Sequence, residues 1–279
     1  MKKNRAATRL IETQLRRLIR GLLREADLSG KSSALVGKLV EINRALEAAG
    51  VDVEIGVTTY EDSSDEQRFE FAARNRTRKG EILSYDQSDL WHPGPEDPIS
   101  VIYQLHGGFK GVDIAPLSSS EGQHALHLVP WGAIVIASPA MAGMVNGPCG
   151  GAWVVQQTYP TRNGWGPLLY DLAMEFTGEA GLAPDRRAVS PDAQGVWDKY
   201  DGARGDVTPV QLDILHPERY DAQQLTPDDP SDDCVQKQAL KMAQAFEIGW
   251  SDSPLSRAYR KPDGAATSAL RAAGLFWED

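Results

Sequence analysis

The most regular pattern of apolar and polar positions lies in the middle of the chain, where a strand-like segment runs into a helix-like one. Residues 152–159 are rich in β-branched and aromatic side chains, which predicts a strand. Apolar side chains then recur with helical spacing, at Leu169, Leu172, Ala173 and Phe176. Pro167 suits the first helical position and Gly178 follows the last turn, so a helix is predicted over Pro167–Phe176.

Periodic segments before this unit predict further elements. A helix is predicted over 34–49 from one apolar stripe, formed by Leu35, Leu39, Ile42 and Leu46. Clean alternation over 51–57 predicts a half-buried strand. Residues 61–98 are charged and then proline-rich, and they show few periodic signals. Two more strands are predicted at 100–105 and 125–129, and the continuous apolar run 133–137 is typical of a central strand.

Fewer signals follow Tyr200. Ser190 and Pro191 begin a short helix whose apolar face consists of Ala193, Val196, Trp197 and Tyr200. Residues 207–213 predict a strand with an edge proline, and 235–246 predict a helix. The pattern as a whole indicates a mixed α/β sheet, divided into helices at 1–50, an α/β core at 51–215 and a C-terminal extension at 216–279. The extension is expected to pack on the core, since 270–277 are apolar.

The first residues of the chain combine an apolar seam with positive charge. A helix is predicted over 7–26, with its seam at Ile11, Leu15, Leu18 and Leu22. Residues 1–24 carry eight basic side chains and one glutamate, so the acidic remainder accounts for the total net charge of −10. This acidic remainder argues against nucleic-acid binding by the main domain. Helix 7–26 either packs on its own protein or docks on a partner, namely a protein helix, a nucleic acid, a capsid lumen or a membrane surface.

The connection at 160–166 has the chemistry of an anion site. It contains two glycines and leads from a strand into a helix N-terminus. Backbone N–H groups point out of such a turn, and the helix dipole adds roughly half a positive charge there. A phosphate-bearing ligand is therefore predicted at this turn. The alternative is an ordinary connection whose glycines only shape the turn.

Two motifs in residues 152–200 resemble those of a known enzyme family. The run Gly164–Leu169 (Gly-Trp-Gly-Pro-Leu-Leu) resembles the Gly-x-Gly-x-x-Leu pyrophosphate loop of the GCN5-related N-acetyltransferases (GNAT). The run Ala193–Lys199 (Ala-Gln-Gly-Val-Trp-Asp-Lys) resembles their Ala-x-x-Leu-Tyr-Glu-Lys segment. With Val189 and Ser190 included, the chain is most similar to GNAT-like proteins of tailed bacteriophages. The segment Ile11–Arg20 is likewise similar to the starts of phage proteins.

This resemblance implies a fold, a co-substrate and a set of site residues. The fold would be a mostly antiparallel, mixed sheet flanked by helices, and acetyl-CoA would donate an acetyl group to an amine without a metal. The pyrophosphate would lie on the backbone of a five-residue set, Arg162, Asn163, Gly164, Trp165 and Gly166. The acyl thioester would lie along the 152–159 strand, with its oxyanion held by a backbone N–H near Val155.

Catalytic residues follow less directly from the resemblance. The tyrosine that often protonates the departing thiolate in this family corresponds to Trp197 here. The indole N–H of Trp197 cannot act as a general acid near neutral pH. Tyr200, one helical turn further on, is the expected substitute. The expected bases are Glu175, His106 or a water chain.

A second interpretation keeps the fold without the catalysis. Trp197 and Thr161 stand where the family's enzymes usually keep other residues. The chain would then be a catalytically inactive GNAT-fold protein of a phage structure or virion, guided by its basic N-terminal helix. A third interpretation is a nucleic-acid-associated factor that acts through the same helix.

Composition limits the location and excludes several other chemistries. No apolar run is long enough to span a membrane, and the N-terminus lacks a signal-peptide pattern, so a cytoplasmic protein is expected, in the host cytoplasm or the virion if phage-encoded. Two cysteines, Cys149 and Cys234, predict no disulfide framework and a reducing compartment. Cys149 is expected to be a small buried residue, with a reactive thiol near the acyl-CoA site as the alternative.

Protease and metal chemistry are both disfavoured. The stretch 146–153 superficially resembles a papain-like cysteine motif, but the nucleophile's position falls on Ala152. His124 and His127 would face opposite sides of a strand, which disfavours a shared metal. The aspartates at 228, 229, 232 and 233 lack calcium-loop spacing, so a solvated charge run is predicted there.

Overall fold

The structure is a computed structural model that describes residues 32–48, 53–63, 65–76, 82–83, 132–159, 164–202, 204–217, 224–246 and 249–278. None of the helices in these ranges has both the length and the apolar character that crossing a membrane requires. Several predictions lie outside the described residues. They are the helix 7–26, the strands 100–105 and 125–129, and the site residues His106, Arg162 and Asn163.

Helices and strands alternate through the described part of the chain. The α-helices are α1 (Ser32–Ala48), α2 (Pro139–Asn146), α3 (Gly166–Thr177), α4 (Pro191–Gly202), α5 (Lys237–Phe246) and α6 (Ala265–Ala272). The first strands are β1 (Val53–Ser63), β2 (Glu66–Asn75), β3 (Ile82–Leu83), β4 (Ala133–Ala137), β5 (Trp153–Tyr159) and β6 (Leu182–Ala183). The later strands are β7 (Thr208–Gln211), β8 (Asp213–Ile214), β9 (Asp233–Cys234), β10 (Arg257–Arg260) and β11 (Phe276–Glu278).

One large mixed sheet organises these elements. Its order is β11-β1-β2-β4-β5-β6-β10-β7, with β3 paired to β2 beside this path, while β8 and β9 form a separate parallel pair. Two pairs in the large sheet are parallel, β1 with β11 and β5 with β6, and its other pairs are antiparallel. The predicted fold class, a mostly antiparallel mixed sheet flanked by helices, is therefore confirmed.

The sheet continues through the boundary that was drawn at residue 215. Strand β10 lies inside the sheet between β6 and β7, and β11 pairs with β1 at the other end. Residues 216–279 thus contribute strands to the sheet and do more than pack on it. Strand β7 is the last in the order and contains Pro209, as expected of a proline in an edge strand.

Two hydrophobic clusters cover opposite faces of the central strands. Val155, Leu182 and Tyr259 belong to the main cluster, together with the apolar stripes of α1, α3 and α6. Their neighbours Val154, Ala183 and Ala258 belong to a second, smaller cluster. Successive side chains of a strand point to opposite faces, so α1, α3 and α6 lie on one face, and the smaller cluster, which includes Ala142 of α2, lies on the other.

The predicted stripe of α1 is buried, and a polar side chain fixes its position. Leu39 and Ile42 are in the core, as the spacing predicted. The side-chain NH2 group of Asn43 donates a 2.7 Å hydrogen bond to the backbone carbonyl of Ile55. The side-chain oxygen of Asn43 accepts a 2.7 Å hydrogen bond from the backbone N–H of Ile55. These bonds satisfy the backbone of β1 where the helix crosses it.

Strand β2 was not predicted, although its pattern is visible in retrospect. Phe69 and Phe71 are buried, while Arg68 and Glu70, an ion pair at 2.6 Å, lie on the opposite face. The alternation is regular, but the charges dominate the composition of residues 61–98. A buried ion pair on the second face of a strand gives no apolar signal there.

The prediction that the cysteines form no disulfide was wrong. Cys149 and Cys234 are bonded, with Cα atoms 4.6 Å apart and a sequence separation of 85 residues. Cys149 is buried, as expected, but it is not a free thiol. The bond joins the glycine-rich segment before β5 to strand β9.

Candidate functional site

Strand β6 is only two residues long, so β5 extends well beyond its pairing with β6. Their parallel pairing consists of Trp153 with Leu182 and Val154 with Ala183. Strand β5 then continues to Tyr159, and its last four residues are exposed. The edge of β5 that faces β6 is therefore unpaired beyond Val154 within the described residues.

A β-bulge lies where β5 leaves β6. On the β4 side, Val135 pairs with Gln157 and Ile136 pairs with Val155, so Gln156 has no partner in the ladder. A bulge leaves one residue unpaired and increases the local twist, which bends the strand away from its neighbour. Val155, the residue predicted to hold an oxyanion, lies directly beside this bulge, with its side chain buried.

The turn before α3 has the conformation that its glycine allows. Gly164 has a φ of 82°, in the left-handed region that favours glycine. A Cβ built at Gly164 meets no atom of the described residues within 4 Å, apart from its two chain neighbours. Trp165 caps α3 without a side-chain hydrogen bond and packs edge-on against Phe71, with ring centroids 5.8 Å apart.

The N-terminus of α3 keeps its positive character. No acidic residue lies in its first turn. The amides of Trp165 and Gly166 donate to no acceptor among the described residues, whereas the Leu168 amide donates 3.1 Å to the Trp165 carbonyl. Free amides and an uncompensated helix dipole favour a bound anion. Arg162 and Asn163, predicted to join this site, lie outside the described residues.

Tyr170 is a site residue that was not predicted. It lies on α3, within reach of Thr158 on β5, whose interaction with the Tyr170 hydroxyl offsets part of the pKa shift that burial causes. Burial raises the pKa of Tyr170 to about 12, so the hydroxyl remains protonated at neutral pH. Tyr170 therefore keeps a neutral hydroxyl near Thr158, on the part of β5 that lies beyond its pairing with β6. Helical spacing from Gly166 places residue 170 one turn into α3, which is the only sequence signal for it.

Tyr200, the predicted acid, belongs to a buried polar network. Its hydroxyl donates 2.8 Å to Asp171, whose carboxylate also accepts two bonds from Arg204, at 2.8 and 2.9 Å. Ser32 of α1 donates to the same carboxylate. Burial raises the pKa of Tyr200 well above its ordinary value, and the Asp171 charge adds to this effect. The hydroxyl is thus committed to Asp171.

Glu175, a predicted base, is also fully engaged. Its carboxylate accepts from the amides of Ala266 and Thr267, at 2.9 and 2.8 Å, and from the Thr267 hydroxyl at 2.8 Å. The buried ammonium of Lys261 pairs with it as well. Glu175 therefore caps the N-terminus of α6 from the neighbouring helix. It lies near the C-terminal end of α3, whereas Gly164 and Trp165 precede the other end, so the structure does not bring these residues together.

A cavity of about 1020 Å³ lies away from the glycine turn. It is lined by the β1–β2 hairpin, the C-terminal end of α3, α6 and β11, with Phe69, Phe176 and Phe276 among its apolar walls. Neither β5 nor the turn at Gly164 contributes to this lining.

The acidic residues near the C-terminus divide into two groups. Asp228 and Asp229 are exposed, as a solvated run predicts. Asp213, Asp232 and Asp233 bring carboxylate oxygens within 4.8 Å of one another. Thr226 donates 2.7 Å from its amide to Asp213 and 3.0 Å from its hydroxyl to Asp232. Gln224 donates 3.1 Å to Asp233, so protein donors hold this cluster.

Comparisons of the chain with protein-family models, curated proteins and solved structures gave no match. The chemistry of the site therefore has to be judged from its own geometry.

Proposed function

We propose that this chain is a GNAT-like acyl-CoA-binding protein that transfers an acetyl group from acetyl-CoA to an amine. One observation carries the proposal: β5 has no pairing with β6 beyond Val154, and the helix that follows β5 begins at a glycine turn. A long, thin ligand with a diphosphate at one end fits a strand edge that leads to a helix N-terminus. The family resemblance of Gly164–Leu169 supports the same ligand.

Different residues of the site would contact different parts of acetyl-CoA. The amides of Trp165 and Gly166, together with Arg162, Asn163 and Gly164, would hold the diphosphate. The backbone groups at the unpaired edge of β5 would form hydrogen bonds with the amide groups of the pantetheine arm, because an open strand edge offers both donors and acceptors. Tyr170 would donate to the arm from α3.

Transfer would take place near the bulge. The thioester carbonyl would lie at the backbone N–H near Val155, and an N–H aimed at a developing oxyanion stabilises it. A neutral amine would then attack the thioester carbon, and the thiolate of CoA would leave. His106 or a water chain are the bases that remain, since the carboxylate of Glu175 is already engaged.

The decisive experiment measures acetyl-CoA binding by calorimetry. Gly164→Asp places bulk and negative charge at the diphosphate, so its binding should be lost. Gly178→Asp is the matched control, because Gly178 also has a positive φ, also has no neighbour within 4 Å of a built Cβ, and lies at the opposite end of α3. Equal affinity in the two variants would contradict the proposal.

A second candidate function is acyl-CoA binding without catalysis, as in a structural or virion-associated protein. The observation in its favour is that Tyr200 and Glu175 both serve buried networks. The two candidates differ in turnover, which release of free CoA in the presence of varied amines measures. Binding without release supports the second candidate. The partner of helix 7–26 and the place in the cytoplasm or virion stay predictions, and deletion of residues 1–28 tests the partner.

A further inference from the structure

Arg186 is a buried cation with few partners. It lies just after β6 and is 1% exposed. Its Nε donates 2.7 Å to the Pro184 carbonyl, while its Nη2 is buried without a partner among the described residues. Neighbouring Asp185 directs its carboxylate to the amides of Arg187 and Ala188. Burial lowers the pKa of Arg186 to about 9, which still leaves it charged at neutral pH.

The remaining contact of Arg186 is with the disulfide. Its Nη1 lies 3.4 Å from Sγ of Cys234. A cation beside a sulfur favours the thiolate over the thiol, and a better thiolate is a better leaving group in thiol–disulfide exchange.

The other sulfur has the opposite environment. Sγ of Cys149 lies 3.5 Å from the carbonyl oxygen of Asn146, which can only accept a hydrogen bond. A thiol at Cys149 would donate to this carbonyl, whereas a thiolate would be repelled by it. After reduction, the surroundings therefore favour a thiolate at Cys234 and a thiol at Cys149.

We propose that Cys149 and Cys234 form a reversible thiol–disulfide couple, in which reduction yields a Cys234 thiolate paired with Arg186 and a Cys149 thiol bonded to Asn146. The proposal goes beyond acyl-CoA binding and does not depend on it. The charge that Arg186 carries in the interior is then balanced in the reduced form.

The exchange is written for an external dithiol as reductant. A thiolate of the dithiol attacks Sγ of Cys149, the S–S bond breaks, and its electron pair leaves on Sγ of Cys234. The second thiol of the dithiol then displaces Cys149 and closes the disulfide of the oxidised reductant. Of the two protons that the dithiol carried, one is taken up by Cys149 and one is released to solvent. Cys149 is buried, so the attack requires the segment Cys149–Gly151 to open locally.

Other charges around Cys234 oppose the effect of Arg186. Asp233 precedes Cys234 in β9, and Asp213 of β8 pairs with Asp233. Asp185 precedes Arg186 in the sequence. Each carboxylate raises the pKa of a nearby thiol. A lowered thiol pKa in this setting would therefore report the guanidinium contact.

The first test uses the unsubstituted chain, reduced with dithiothreitol and freed of reductant. Absorbance at 240 nm counts thiolates, and an ordinary thiol of pKa about 8.5 is only about a tenth ionised at pH 7.5. We expect close to one thiolate per chain at that pH, with the circular dichroism of the oxidised protein retained. Unfolding in guanidinium chloride should remove most of this signal.

The second test assigns the thiolate to its residue. In Cys149→Ser, we expect Cys234 to titrate at least about two pH units below about 8.5. Adding Arg186→Met should raise that pKa to the ordinary value or above, whereas Arg187→Met, its exposed neighbour, should leave it unchanged. If Arg186→Met does not fold, Arg186→Lys keeps the charge and should retain the low pKa.

Two results would overturn the proposal. One is an ordinary or raised thiol pKa for Cys234 in the folded, reduced chain. The other is loss of the folded signal on reduction, which would make the bond a structural crosslink only.

Discussion

The hydroxyl of Tyr200 donates a 2.8 Å hydrogen bond to Oδ1 of Asp171, a carboxylate that is fully buried. This bond joins α4 to α3, and Arg204 completes it from the following loop. With Ser32 of α1 as a further donor, Asp171 links α3 to α1 and to the end of α4 with its following loop. A buried carboxylate of this kind is stable only while its donors are present.

Replacing Tyr200 should cost stability and leave chemistry unaffected. Tyr200→Phe removes one donor from Asp171, so the free energy of unfolding should fall by about 1–2 kcal/mol in chemical denaturation. Asp171→Asn removes the buried carboxylate from Arg204, which keeps only the more exposed Asp206, and should cost about 3–5 kcal/mol. If Tyr200 were the general acid, Tyr200→Phe would instead lower kcat at unchanged stability.

Replacing Glu175 should destabilise the junction of α3 and α6. Glu175→Gln breaks a buried pair with Lys261 and weakens the cap of α6, so we expect a loss of about 3–5 kcal/mol. Glu179→Gln is the control, because Glu179 is an exposed residue one turn further on, and its effect should stay within about 0.5 kcal/mol. Thermal and chemical denaturation both measure this difference. Equal stability of the two variants would mean that the Lys261 pair contributes nothing.

Two glycines should respond oppositely to the same substitution. A Cβ on Gly56 would lie 2.6 Å from the Leu275 carbonyl oxygen and 2.7 Å from the Trp277 ring, so Gly56→Ala should cost about 1–3 kcal/mol. Gly37, inside α1, has nothing within 4 Å of a built Cβ. Gly37→Ala should therefore stabilise the protein by about 0.5–1 kcal/mol through helix propensity. Opposite signs of the two changes in unfolding free energy are the expected result.

The acidic cluster should make stability depend on pH. Burial raises the pKa of Asp232, and the charges of Asp213 and Asp229 raise it further. A carboxyl group whose folded pKa is raised destabilises the folded state above that pKa, and the effect disappears below the unfolded value of about 3.9. Asp232→Asn should therefore raise Tm at pH 7, with the gain vanishing as the pH falls towards 4. Asp228→Asn, exposed in the same loop, should leave Tm unchanged at both pH values.

Elements that face the core through one regular stripe were predictable from sequence. The stripe of α1 and the apolar run of β4 match the structure closely, because burial imposes their period directly. Helix α3 was located correctly, but Phe176 of its predicted stripe is 48% exposed, while Asp171 is fully buried. Strand β2 was missed, since Arg68 and Glu70 pair on its second face and hide the alternation of Phe69 and Phe71.

Features that depend on contacts between residues far apart in the sequence could not be predicted from the pattern of apolar and polar positions. The disulfide requires Cys234 to approach Cys149 through the pairing of β8 and β9, and 85 residues of sequence separate the two cysteines. At the site, glycine spacing located the turn and the helix N-terminus. The engagement of Glu175 by Lys261 could not be anticipated, because a carboxylate on a helix gives no sign of its partner 86 residues later.

The place of β10 bears on how this chain reaches its fold during synthesis. Residues 257–260 are made after both of their neighbours in the sheet, yet they fill the slot between β6 and β7. Until they emerge from the ribosome, β6 and β7 have open edges, which invite pairing with other chains. A chain truncated before residue 257 should therefore aggregate, because β6 and β7 keep these open edges.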